Sequence, residues 1–134
     1  MLRFSAEQFA QLARLQALRK VDVALCGHIP EWAQSEPKPR REFIGMCLDR
    51  GARYGLRSGR SVLAYTYCAI WHGQMFEESS ALLRLLLTSP LPEARKSHAM
   101  LAWDDDRFDP HTSTASGDAA IRRSLELTTP WGRR

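Results

Sequence analysis

Cys68 and His72 stand four residues apart in CAIWH, so on a helix both side chains project from one side. Cys26 and His28 could complete a Cys₂His₂ zinc set with them. Structural zinc, however, is usually held by closely spaced ligand pairs, and Cys-x-His is not a common one. The same Cys68 and His72 have the residue types of a nucleophile and its base. Tyr67, Ala69 and Ile70 flank the cysteine with mostly apolar neighbours, which would desolvate an attacking thiolate. Core packing and a histidine at a helix end are the better reading of this pair. Asp104, Asp105, Asp106 and Asp109 look at first like a calcium loop, but the D-x-D-x-D-G alternation and the distal glutamate are missing. The chain has no phosphate-binding glycine loop, no G-x-S-x-G and no H-E-x-x-H. No catalytic residue, metal or cofactor is expected, and the chain reads as a non-enzyme.

Composition sets the frame for those residues. At 134 residues the chain is the size of one domain and can bury a core without disulfides or metal. A hydrophobic share of 44% and a charged share of 25% are ordinary for a soluble globular protein. The longest greasy stretch, Val62 to Trp71, is about half a membrane span and contains Tyr65, Thr66 and Tyr67. The N-terminus has polar residues where a secretory signal needs an apolar block, so a cytoplasmic protein with no membrane partner is expected. Cys26, Cys47 and Cys68 are odd in number and set among apolar residues, which favours reduced thiols acting as small hydrophobes. The net charge of +4 is uneven: residues 1–60 hold 11 Lys/Arg and 6 Asp/Glu, whereas residues 61–109 hold 4 and 7. A basic front and an acidic middle suit charge-complementary protein contacts about as well as nucleic acid.

The elements follow from caps and periodicity. Ser5 precedes Ala-Glu-Gln, a capping box flanked by Phe4 and Phe9 at the spacing of a hydrophobic staple, and a helix is expected to about Leu18. Residues 20–28 fit a short helix ending near Gly27, or a strand, since Val21, Val23 and Leu25 alternate; the helical surroundings favour helix. His28 to Pro39 is a connector in which Pro30 can open a helical piece carrying Trp32. Pro39 opens a helix over Arg40 to Tyr54, and Gly55 takes the left-handed position that ends it. Ser58 caps a central helix that stops at Gly73; its Val62 to Trp71 run is apolar nearly all round and must be buried by neighbours. Ser79 or Ser80 starts a leucine-rich helix that Pro90 ends, and Pro92 opens another, EARKSHAMLAW. Beyond Trp103 the sequence turns polar and aperiodic. The expected fold is all-α: a compact bundle of about five helices around a central apolar helix, with a single domain over 1–103. Residues 104–134 are expected to form a flexible tail, with Asp118 able to cap a short helix.

Arg40, Arg41, Arg50, Arg53, Arg57 and Arg60 form the best candidate for a basic patch, read as a solvated face or a protein-docking surface ahead of a nucleic-acid site. The segment ARYGLRSGRSVLAYTYCAIWHGQMF (Ala52 to Phe76) is similar to small proteins encoded in bacterial type VI secretion clusters. These share A-x-x-Y-G-[LI], a short cap, then V-A-x-Y-x-x-x-M-x-x-x-G-x-x-F. Tyr54, Gly55 and Leu56 match the turn, Val62, Ala64 and Tyr65 match the helix, with Leu63 between the first two, and Gly73 and Phe76 match its exit. The resemblance implies a helical accessory factor or co-chaperone of the adaptor chaperone that loads effectors onto the secretion spike. Its partner would be that adaptor or an effector. The expected contact residues are Arg50, Arg53, Arg57 and Arg60, with Trp32 as an aromatic anchor, because Arg and Trp dominate interface energetics. The rivals are an immunity protein neutralising a neighbouring toxin and a small basic nucleic-acid-binding regulator. The leucines between Leu82 and Leu87 exceed what one stripe can bury and could add a docking patch.

Overall fold

In a computed structural model of the chain, residues 5–107 and Ile121 are described. The described residues form six α-helices and one 3₁₀ turn, with no strand. These are α1 (Ala6–His28), α2 (Pro30–Gln34), α3 (Pro37–Arg53), α4 (Gly59–His72), the 3₁₀ turn Phe76–Ser79, α5 (Ala81–Thr88) and α6 (Glu93–Arg107). The fold is all-α, as expected. No helix among the described residues is long and apolar enough to cross a membrane.

Caps decide where the helices begin and end. The Gln8 amide donates to Ser5 Oγ at 3.1 Å and the Ser5 amide to Gln8 Oε1 at 2.8 Å, the reciprocal capping box. At the end of α3, Leu56 N–H donates to Gly51 O and Gly55 N–H to Ala52 O, the paired bonds of a Schellman motif. Gly55 supplies the φ of +78° that this motif needs, and the Leu56 side chain packs over Gly51. Ser58 accepts from the Ser61 amide to start α4, and Gly73, at φ +103°, ends it.

Around α4 the packing is layered. α3 and α4 form a hairpin through the Gly55 turn. α1 runs antiparallel to α3, with Arg14 reaching Gly45 and Asp49 while Asp22 meets Arg40. α6 lies parallel to α4: Ser97 bonds Ser61, Cys68 Sγ sits 3.7 Å from Met100 O, and Asp104 meets His72. Tyr65, Cys68, Phe76, Leu83, Leu87, Met100 and Trp103 fill the main core, into which Ile121 is also buried. Val21, Leu25, Ile29, Ile44 and Val62 form a second cluster under α1. The central position expected for Val62 to Trp71 is the one α4 occupies.

Three boundaries differ from the sequence reading. Residues 20–28 are neither a strand nor a separate helix, because Val21 and Leu25 lie on the buried face of one continuous α1. α3 begins at Pro37, a turn before Arg40. α6 runs on past Trp103 to Arg107, and Asp104, expected at the head of a tail, is a buried helical residue that pairs with His72. Ile121 is helical and buried; the rest of the expected tail, including the Asp118 cap, lies outside the described residues. The leucine-rich helix leaves no patch: Leu83, Leu86 and Leu87 are buried, Leu82 is half-buried, and Leu85 alone of the five is exposed.

Candidate functional site

The densest polar cluster is built on Glu77, which the sequence reading did not single out. Its carboxylate is fully buried. Oε1 accepts from the Tyr54 and Tyr65 hydroxyls, each at 3.0 Å, and from the Arg50 guanidinium. Arg50 Nε donates as well to the Tyr65 oxygen at 3.1 Å. Arg50 and Tyr54 stand one turn apart near the end of α3, Tyr65 projects from α4, and the 3₁₀ turn delivers Glu77. Burial is the strongest influence on Glu77 and raises its pKa. The Arg50, backbone, Tyr65 and Tyr54 donors together outweigh it and hold the group below the usual carboxylate range. Burial and the nearby carboxylate push Tyr54 up, and burial pushes Tyr65 further in the same direction, so both stay protonated donors. The cluster is a lock between α3, α4 and the 3₁₀ turn, with no group aimed outwards at a substrate.

The residues with apparent metal or nucleophile chemistry are spoken for in other ways. His72 Nε2 lies 2.6 Å from Asp104 Oδ1, and its ring meets Trp103 edge-on at 4.9 Å. Cys68, one turn earlier, faces Met100 O instead, and burial holds its thiol well above the ordinary value. Cys47 is likewise buried and pushed up to about 11. Neither thiol is the low-pKa, accessible kind that attacks. No group of three His, Cys, Asp or Glu side chains among the described residues is placed to hold a metal ion.

Of the five expected contact residues, the structure commits two to the fold. Arg50 belongs to the Glu77 lock. Trp32 is half-buried, donates its indole N–H to Asp22 at 2.9 Å and packs edge-on against Phe43 at 5.8 Å. Asp22 in turn accepts from Arg40, so this group staples α1, α2 and α3 together. Arg53, Arg57 and Arg60 are exposed, with no ion pair among the described residues. They surround the α3–α4 turn and the first turn of α4.

Two further polar residues at that turn went unread. Glu93 Oε2 accepts from the Ser58 amide and the Ser61 hydroxyl, both at 3.0 Å, and so ties the start of α6 to the cap of α4. Lys96 is buried and donates to the Tyr54 and Leu87 carbonyls, both at 2.8 Å; burial lowers its pKa. Both are consumed by orphan backbone groups at helix ends. The signal for them was present only as a Ser-x-x-Ser cap and a Glu-x-x-Lys pair, whose partners, Leu87 apart, lie more than 30 residues away.

Several concavities open at the surface, and one of them lies beside this framework. A groove of about 460 Å³ runs along α4 between α1 and α6. Leu25, Leu63, Tyr67 and Leu101 give it apolar walls, His28 stands on the α1 side, Arg60 lies towards its α4 N-terminal end, and Asp104 and Asp105 towards the other. No protein-family model, curated protein or solved structure matches the chain.

Proposed function

We propose that this chain is a non-enzymatic protein-binding factor, an accessory or co-chaperone that docks stoichiometrically onto an effector-loading adaptor chaperone of a type VI secretion system. The observation that carries the binding role is how its polar groups are distributed. Glu77, Asp104, Glu93, Lys96 and Arg50 are spent on holding helices together, whereas Arg53, Arg57 and Arg60 are left at the surface. Large apolar side chains are left there too: Leu12 is 42% exposed, Leu15 59% and Leu101 42%. Scattered apolar residues are normal on any surface, but exposed arginines together with exposed apolar side chains are a composition that interfaces favour, and Arg60 and Leu101 line one groove. What supports the adaptor as partner is the resemblance over Ala52 to Phe76, which forms the Schellman turn and α4.

The test is affinity capture of the tagged chain from its native cells, with stoichiometry read by mass spectrometry. An adaptor chaperone at equal stoichiometry, lost from R53E/R57E while the melting temperature stays put, is the expected result. A toxin in its place would make the chain an immunity protein. Recovery of nucleic acid alone, with salt-sensitive retention, would overturn the proposal in favour of a regulator.

A further inference from the structure

We infer that the groove between α1, α4 and α6 is a docking site for an amphipathic helix of a partner protein, seated with its basic end against Asp105. The inference rests on the reading of the chain as a protein-binding factor and adds where and what it binds. An apolar helix at the centre of a fold is normally covered on every side. α4 is not: Leu63 and Tyr67, one turn apart on its outward stripe, are only half-buried, and Leu101 of α6 stands 42% exposed beside them. Side chains at i and i+4 flanked by two neighbouring helices form the kind of trough that receives the apolar face of another helix.

Charge along the trough selects the occupant. Because α4 and α6 are parallel, their C-terminal ends lie together at the His72–Asp104 contact, and both present the negative ends of their peptide dipoles there. Asp105 adds an exposed carboxylate at the same end, next to the buried Asp104–His72 pair, while Arg60 sits at the other. Arg60 and His72 are separated by roughly 18 Å along α4 at 1.5 Å per residue, about three turns of a docked helix. A helix with lysine or arginine in its first turn and glutamate in its last, running antiparallel to α4, matches both ends and opposes the dipoles. Its anchors would enter between Leu63, Tyr67 and Leu101.

The probe is a synthetic amphipathic helix of that design, with a twin carrying the same apolar face and the two charged turns exchanged. Each is titrated into the 134-residue chain and followed by amide NMR. The expected result is binding of the first peptide, with shifts centred on Leu63, Tyr67, Leu101 and Asp105. Asp105→Lys, at an exposed position, should weaken it about tenfold, the scale of one close interfacial charge pair, and favour the twin. Leu101→Glu, also exposed, should remove binding of both. No binding, shifts elsewhere, or indifference to both variants overturns the inference. So does self-association of the chain that Leu101→Glu abolishes, since the occupant would then be a second copy. If native capture still recovers a stoichiometric partner with Leu101→Glu, the groove falls and the binding role stands. If the probe binds as described but no protein is captured, the role falls and the groove stands.

Discussion

Glu77 and Asp104 are both carboxylates sunk into the same helical core, and burial pushes the pKa of each upward. They end on opposite sides of the ordinary value. Glu77 collects a guanidinium and two phenol hydroxyls, and these donors hold it low in spite of burial. Asp104 faces one histidine, which pulls its pKa down less than burial pushes it up. The depth is similar, so the number and charge of the donors decide which carboxylate is stable as an anion. One site is therefore a lock that needs its charge. The other is a contact between α4 and α6 that tolerates losing it.

The largest effect should come from removing the charge at Glu77. Glu77→Gln leaves Arg50, whose side chain is 20% exposed, beside a neutral amide and replaces an anionic acceptor with a weaker one. Breaking one partner of a buried pair typically loses about 3–5 kcal/mol, and denaturant unfolding at neutral pH is expected to show a loss in that range. The pH dependence has a definite sign. A lowered pKa gives stability that is present above the unfolded carboxylate value, about 4.3, and lost as pH falls through the folded one. The gap between wild type and Glu77→Gln should therefore narrow on acidification below about pH 4. A gap that stays constant into strong acid would mean the lock works by shape alone.

Next in size is a single donor. Tyr54→Phe keeps the ring and deletes one hydroxyl that donates to Glu77. One hydrogen bond to a charged acceptor contributes about 1.5–3 kcal/mol, and the half-buried position of Tyr54 puts the expected loss at the low end. Combined with Glu77→Gln the losses should fall short of additive, because both variants remove the same bond. Strict additivity would separate Tyr54 from the lock.

The lock also shows what the sequence could and could not reveal. Caps and breaks are local, so Ser5, Gly55, Ser58 and Gly73 place helix ends from a few adjacent residues. The apolar run of α4 required a central position whatever its neighbours were. Glu77 is 27 residues from Arg50 and 12 from Tyr65, and in the sequence it is one of two glutamates in an unremarked FEES. Arginines 50, 53, 57 and 60 look alike in the chain, yet one inward turn of α3 makes Arg50 part of the core edge and leaves the other three outside. Asp104 heads an acidic run that reads as solvent-loving, and only its register on α6 opposite His72 buries it. Periodicity finds apolar faces; it does not find the polar residue that crosses between elements.

Asp104→Asn tests the other half of the comparison. The amide keeps an oxygen for His72 and removes a carboxyl that burial disfavours as an anion. At neutral pH the expected change is within about 1 kcal/mol of wild type, the net scale of an ordinary hydrogen bond. The sign with pH is opposite to that at Glu77. A raised pKa gives stability that is present below the unfolded value, about 3.9, and lost as pH rises through the folded one. Asp104→Asn should therefore improve relative to wild type as pH rises through that window. A loss near 3 kcal/mol at neutral pH would mean that Asp104 is held as an anion by His72 after all, and the two carboxylates would then be alike.

The smallest effect should come from a third carboxylate that has partners but little burial. Asp49 accepts two guanidinium bonds from Arg14, at 2.8 and 3.3 Å, so its local geometry is at least as good as that of Asp104. The side chains are 44% and 64% exposed, and water screens the pair. Exposed pairs of this kind contribute about 0.2–1 kcal/mol, so Asp49→Asn should lower stability by no more than that, and high salt should erase most of the difference. Arg14 also donates to Gly45 O at 3.1 Å, a bond that the Asp49 variant leaves intact. Arg14→Met should therefore lose slightly more than Asp49→Asn, and the excess should survive salt. If Asp49→Asn instead lost as much as Glu77→Gln, donor geometry alone would rank these carboxylates, and burial would not be what separates Glu77 from Asp49.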